Sequence, residues 1–94
     1  MYEVKAYHHR PATVRGDLEE ETVMVASELF KTRAKAKAYI EDHVKGCKTV
    51  SRDYHRGNET SYVTAFTGYT WMHENSGEEC QEYYHYRLNK AQAR

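Results

Sequence analysis

Hydrophobic and polar residues alternate over residues 2–9, which is the pattern of a strand with one buried face. The alternation puts Val4 on one side of this strand and Tyr7 on the other. Pro11 follows, and proline cannot donate a hydrogen bond to a neighbouring strand. We therefore expect the first strand to end at Arg10-Pro11.

The next segment, residues 12–20, is polar and contains a glycine, so it predicts a loop. Acidic residues cluster at the end of this loop and just after it, and they fit a solvated acidic patch: Asp17, Glu19, Glu20 and Glu21. Residues 22–26 are Thr-Val-Met-Val-Ala, and this β-branched run predicts a second strand. The first two strands can then pair as a hairpin with a long loop.

A helix is predicted over residues 33–44, where four alanines stand among lysines and other good helix formers. Thr32 is suited to cap its first turn, because the hydroxyl oxygen can accept a hydrogen bond from a free backbone N–H. Gly46 is suited to end it. The face expected to pack against the protein consists of Ala36, Tyr39, Ile40 and His43, which recur at helical spacing.

Three more strands are predicted after the helix, over residues 47–55, 61–73 and 81–88. Turn residues at 56–59 and 74–77 separate them, which favours an antiparallel meander. Gly68, near the middle of the long strand, predicts a bulge or a sharp bend.

The predicted element order is β-β-α-β-β-β. This is an α+β fold: an antiparallel sheet of about five strands, with one amphipathic helix packed on one face. A length of 94 residues allows a single domain, 1–94. Its polar tail, residues 89–94, is expected to fray.

Aromatic residues are unusually frequent, at 13% of the chain, and nine of them are tyrosines. A core this small cannot bury every tyrosine with its hydroxyl satisfied, so several rings are expected at a surface or an interface. Tyrosine, tryptophan and arginine are also enriched where proteins contact each other. The residues predicted to bind a protein partner are Tyr62, Tyr69, Trp71, Tyr83, His85 and Arg87.

Net charge and cysteine usage limit the partners and the cellular compartment that we expect for this protein. The 14 basic and 14 acidic residues cancel, so bulk attraction to nucleic acid or anionic lipid is not expected, and self-association as a homodimer is mildly favoured. The N-terminus lacks the apolar core of a signal peptide, and no stretch has membrane-spanning length. We therefore expect a cytoplasmic protein with reduced thiols and no membrane partner.

No catalytic residues, metal ligands or cofactor are predicted. The six histidines match no local zinc-ligand spacing. Cys47 follows the C-terminus of the predicted helix, where partial negative charge disfavours a thiolate. Cys80 stands among glutamates, which disfavour it as well. We therefore expect a protein that binds rather than catalyses.

Two other binding functions remain open. A nucleic acid could contact the basic start of the helix, Lys31, Arg33, Lys35 and Lys37, while exposed tyrosines stack on its bases. A small anionic ligand such as a signalling nucleotide could instead be sequestered by aromatic rings, basic side chains and threonine hydroxyls, in a pocket formed between subunits.

The segment Phe30-Lys31-Thr32-Arg33-Ala34-Lys35-Ala36-Lys37-Ala38-Tyr39-Ile40 resembles, in style, helices of the small accessory proteins that bacteriophages encode against their hosts. That resemblance implies an inhibitor of a host or defence protein, working in the host cytoplasm, or a scavenger of a signalling nucleotide. The leading hypothesis is a small inhibitor or modulator that docks on a protein through an aromatic sheet face and charged loops.

Overall fold

The computed structural model describes residues 1–14, 17–73 and 75–91, and within them one helix packs on a five-stranded antiparallel sheet. The predicted α+β fold and element order are confirmed. The strand order is β2-β1-β5-β4-β3. The elements are β1 (Tyr2–Val14), β2 (Asp17–Phe30), α1 (Arg33–His43), β3 (Thr49–Asp53), β4 (Ser61–Met72) and β5 (Glu79–Lys90).

Helix α1 begins and ends where its sequence predicts. The Thr32 hydroxyl accepts a hydrogen bond from the backbone N–H of Lys35 at 3.2 Å, which satisfies one donor of the first turn. At the other end, the N–H of Val44 donates to the carbonyl of Ile40, and Gly46 follows with φ of 87°. Because α1 connects β2 to β3, the two edge strands, it must cross the whole sheet.

The core lies between α1 and the sheet. Alternation along each strand sends every second side chain towards the helix. These side chains are small or aliphatic apart from one buried tyrosine, which allows the helix to approach closely. The buried residues of this core are Val4, Ala6, Ala36, Ile40, Val44, Val63, Ala65, Tyr86 and Leu88.

The first hairpin is longer than its sequence predicts, and the predicted loop over residues 12–20 is wrong. Strand β1 continues through Pro11 to Val14, and β2 already begins at Asp17. Beyond His9, β1 has no partner on the β5 side, so a proline facing that side costs no ladder hydrogen bond. The predicted acidic patch therefore lies on a strand, and Gly16 of the predicted loop lies outside the described residues.

The bend predicted at Gly68 is confirmed. The pairing of β4 with β5 shifts register between Phe66 and Thr70, and Gly68 has φ of 97°. Side chains rarely adopt that backbone conformation, so glycine is suited to this position.

Both ends of β5 differ in detail from the sequence prediction. Where fraying was expected from residue 89 onwards, β5 continues to Lys90, which pairs with Tyr2. Residues 92–94 of the predicted tail lie outside the described part of the chain. In the turn before β5, the His73 N–H donates to the Glu78 carbonyl at 2.8 Å. Glu74, predicted in that turn, also lies outside the described residues.

The molecule is elongated, with extents of 45 × 27 × 19 Å and a radius of gyration of 15.3 Å. A compact domain of this length would have a radius of about 12 Å. The pairing of β1 with β5 ends at His9 and Tyr83, and beyond it the β1–β2 and β4–β5 hairpins continue as two arms. This leaves one sheet face without a helix and one long strand at an edge.

Candidate functional site

The face of the sheet that α1 does not cover, called here the open face, collects most of the predicted partner-binding residues. Alternation sends Tyr84, Tyr86 and Leu88 of β5 towards the helix and Tyr83 and His85 to the opposite side. The open face includes Glu3, Lys5, Tyr7 and His9 of β1, Glu20, Thr22, Met24 and Leu29 of β2, Tyr62, Thr64 and Phe66 of β4, and Tyr83, His85 and Arg87 of β5.

This face has a shallow depression of about 540 Å³ at its centre. Four strands contribute to it, because β1 and β4 flank β5 and the β2 side chain reaches over β1. Its floor combines aromatic rings with hydroxyl groups and one guanidinium, and no acidic side chain lines it. The lining residues are Tyr7, Thr22, Thr64, Tyr83, His85 and Arg87.

Two cations lie side by side next to this depression. Lys5 and Arg87 are direct cross-strand partners, an arrangement that is unfavourable for like charges. The Nε atom of Arg87 is buried and has no hydrogen-bond partner among the described residues. Lys5 approaches Glu3 only at 3.8 Å, the long end of the ion-pair range. Because Glu3 offsets the Lys5 charge in part, Arg87 is the main source of a local positive charge that a bound anion would neutralise.

His85 forms the neutral centre of the depression. Its Nδ1 lies 2.9 Å from the Thr64 hydroxyl, and its ring stacks on Tyr62 with centroids 5.7 Å apart. Burial lowers the pKa of His85, and the nearby Arg87 charge lowers it further. The imidazole is therefore uncharged at neutral pH, and Arg87 supplies the charge of the site.

Exposed apolar side chains lie around Lys5 and Arg87 on the open face. Tyr62 is 39% exposed, Met24 57% and Leu29 58%, and all three project from the open face. All nine tyrosines lie in the described part of the chain, and only Tyr86 is fully buried. The aromatic excess expected from the sequence thus reaches the surface, although several rings are half covered by stacking on neighbours.

Trp71 and Tyr69 lie at the far end of β4, at the margin of the open face. The two rings stack with centroids 6.2 Å apart, and the Trp71 ring also meets His9. Tyr69 is half exposed, whereas Trp71 is only 5% exposed. Trp71 therefore offers little surface to a partner, although it was predicted to contact one.

The histidines are held by carboxylates and hydroxyls rather than grouped. His8 lies 3.0 Å from Glu82 and stacks on Tyr84. His9 lies 2.6 Å from the Thr22 hydroxyl and 3.2 Å from Glu20. Within residues 1–14, 17–73 and 75–91, no group of three or more His, Cys, Asp and Glu side chains is placed to hold a metal ion.

The two thiols are separate and free. Cys47 is half-buried beside the core. Desolvation and the nearby carboxylates of Glu20 and Glu78 raise the pKa of the Cys80 thiol. A raised pKa keeps this sulfur protonated at neutral pH, the less nucleophilic form.

The basic helix start lies on the opposite side of the sheet from the open face. The Arg33 guanidinium donates to the His55 carbonyl, and the Lys37 ammonium lies 4.4 Å from the centre of the Tyr54 ring. Lys31 and Lys35 are exposed. Tyr62 and these four cations therefore lie on opposite faces of the sheet.

The structure brings Tyr62, Tyr83, His85 and Arg87 together, and Trp71 with Tyr69 lies at the margin of this group, where Trp71 meets His9. Sequence reasoning missed Tyr7, Thr22 and Thr64 as parts of the same depression. Alternation already placed Tyr7 on the outward side of its strand. No sequence signal shows that β1 pairs with β5, because those strands lie about seventy residues or more apart.

Comparison of the chain with protein-family models, with curated proteins and with solved structures finds no match. Among the described residues, no helix is long and apolar enough to cross a membrane.

Proposed function

We propose that this chain is a non-enzymatic binding module that docks a protein partner on the open face and acts as an inhibitor or modulator of it. The observation that carries the proposal is the unpartnered Arg87 Nε beside Lys5, surrounded by exposed apolar side chains. Interfaces of this kind combine aromatic anchors and arginine with an apolar centre.

The charge of the face defines the chemistry of the partner. No acidic residue lines the depression, and Lys5 and Arg87 stand next to each other. A carboxylate from the partner would pair with the Arg87 guanidinium, and an aromatic or aliphatic neighbour would cover Tyr62 and Met24. The partner segment is thus acidic and apolar.

A protein segment suits this face better than a small molecule does, because the depression is shallow. Small-ligand pockets usually enclose most of the ligand surface, whereas protein partners spread over flat surfaces. The role of inhibitor of a host or defence protein is the one that the resemblance of the helix segment implies.

Selection of displayed random 12-residue peptides on the immobilised chain tests this function. We expect the selected peptides to be enriched in Asp, Glu and aromatic residues. Their affinity for the chain should fall as the salt concentration rises. Arg87→Gln should reduce their affinity by about tenfold or more, because a buried charged contact is lost. Tyr62→Ser should act in the same direction.

Arg56→Gln is the matched control, since Arg56 is an exposed arginine in the turn before β4. It should leave peptide affinity unchanged. A selection in which no peptide depends on Arg87 and Tyr62 would overturn the proposal.

A small anionic ligand is the second candidate, because hydroxyls and one guanidinium converge without any acidic group in the lining. Its volume lies within the range of ligand pockets, roughly 300–1,000 Å³. Nucleotides at millimolar concentration should then raise the melting temperature of the chain but not that of Arg87→Gln. The absence of any shift would remove this candidate and leave the protein-docking proposal in place.

A further inference from the structure

Strand β2 is an edge strand of unusual length. It spans 14 residues and pairs with β1 alone, so every second backbone N–H and C=O along its outer side points away from the sheet. Such an edge is a template for an added strand, and most proteins shorten or cover it. The opposite edge, β3, has only five residues.

A bulge divides this edge into two parts. The register shifts between Ala6 and Tyr7, whose partners are Ala26 and Met24, so Val25 is the extra residue. Bulges interrupt strand pairing, and an added strand therefore has one long regular stretch available, residues 18–24. Met24 at its end is 57% exposed.

The charge on this stretch has a single sign. Glu19, Glu20 and Glu21 are consecutive, so their side chains project from both faces of the sheet. Glu21 pairs with Arg10 at 3.5 Å, and Glu20 pairs with His9. Strand β2 contains no lysine or arginine. An added strand would thus meet acidic neighbours on both of its faces.

A second copy of this chain does not complement the edge. Pairing β2 with another β2 would bring a second set of glutamates alongside the first, which adds to the negative charge instead of cancelling it. The complementary occupant has consecutive basic residues opposite Glu19 to Glu21. Opposite Thr22 to Met24 it has β-branched residues, which favour extended backbone.

We propose that residues 18–24 of β2 receive an extended basic segment of a partner protein, which adds to the sheet as a sixth strand at its free edge. Backbone hydrogen bonds supply the pairing, and the glutamates select a basic sequence. When the segment pairs antiparallel to β2, its sequence from the N-terminus is an apolar, a polar and an apolar residue, followed by three basic residues. This site is the backbone edge of β2; it borders the open face, with which it shares Thr22 and Met24, and it does not depend on the function proposed above.

The defining experiment uses a capped peptide, Val-Thr-Val-Lys-Arg-Lys flanked by threonines, titrated into the full-length chain and followed by amide NMR spectra. We expect saturable binding, with the largest shifts on β2 and new hydrogen-exchange protection of its outward amides. The double variant Glu19→Gln/Glu21→Gln should bind about tenfold more weakly at low salt. Glu28→Gln, beyond the bulge, should bind as the unmodified chain does.

Peptides N-methylated on alternate residues separate strand addition from simple charge attraction. Methyl groups in one of the two alternate phases should abolish binding, because they remove the N–H groups that face β2, and the other phase should be tolerated. Equal binding of both methylated peptides would overturn the proposal. So would equal binding of a peptide with the same composition in scrambled order, or self-association that protects β2 without any peptide.

Discussion

At the scale of single residues, the contact between helix and edge strand depends on one carboxylate. The Glu41 oxygens accept hydrogen bonds from Arg52 of β3 at 2.9 Å and from the Tyr54 hydroxyl at 2.6 Å. Lys37, one turn earlier on the helix, covers the Tyr54 ring. Glu41 thereby links α1 to β3 and to the segment after it, outside the apolar core.

The pKa of Glu41 is lowered, first by the Arg52 hydrogen bond and then by the Tyr54 hydroxyl. A carboxylate whose pKa is lower in the folded state stabilises the fold above its unfolded pKa, and the gain is lost as pH falls through the folded pKa. We therefore expect Glu41→Gln to reduce the unfolding free energy at pH 7 by about 1 kcal/mol, discounted because the carboxylate is partly exposed.

Denaturant unfolding of Glu41→Gln at a series of pH values checks this expectation. The difference from the unmodified chain should be full at pH 7 and should shrink in acid, below the ordinary glutamate pKa of 4.5. Asp42→Asn, at an exposed neighbour that pairs with Lys45, should change stability by less than about 0.5 kcal/mol at either pH. A difference that persists undiminished in acid would contradict the role given to this charge.

At the scale of elements, local signals and the pairing of strands that follow each other were predictable, whereas the pairing of β1 with β5 was not. The cap at Thr32, the helix that follows and the bend at Gly68 all depend on residues next to each other in sequence. The length of the first hairpin depends on backbone pairing between residues 10–14 and 17–21, where charged residues and a proline interrupt any apolar alternation. The outward side chains of β5 followed from alternation, whereas the contribution of β1 to the same site did not.

Substitution of Gly68 tests whether the register shift in β4 positions the far end of the β4–β5 hairpin. A Cβ at this position would lie 3.3 Å from the Lys48 side chain, which is flexible, so the strain of Gly68→Ala comes mainly from the positive φ. We expect a loss of about 1–2 kcal/mol in unfolding free energy. Hydrogen exchange should also become faster in the β4–β5 arm, near Thr70 to Met72.

Gly57→Ala is the matched control, since Gly57 has φ of 72° in the turn before β4 with nothing within 4 Å of an added Cβ. It should cost a similar free energy without changing exchange in the distant arm. Equal hydrogen-exchange rates near Thr70 to Met72 in Gly68→Ala and the unmodified chain would show that the conformation of Gly68 does not position the β4–β5 arm.

At the scale of the whole molecule, a thin core supports a large exposed sheet. The side chains that lie between α1 and the sheet are few, while leucine, methionine and valine stand exposed on β2. A single domain of this size has a stability of roughly 5–10 kcal/mol, so each large core residue contributes a sizeable share. The exposed apolar residues contribute little to that stability, which leaves them available for a partner.

Substitution of two leucines compares the contribution of a buried and of an exposed apolar residue to the unfolding free energy. Leu88 is 3% exposed under α1, and Leu29 is 58% exposed on the open face. Leu88→Ala should lower the unfolding free energy by about 3 kcal/mol, because it removes buried surface and leaves a cavity. Leu29→Ala should change it by less than about 0.5 kcal/mol, measured by urea unfolding at several protein concentrations. If Leu29→Ala instead costs as much as Leu88→Ala, and the cost depends on concentration, then two copies of the chain cover the open face. In that case the face is an interface between copies of this chain, and a foreign partner would have to displace one of them before it could reach Arg87.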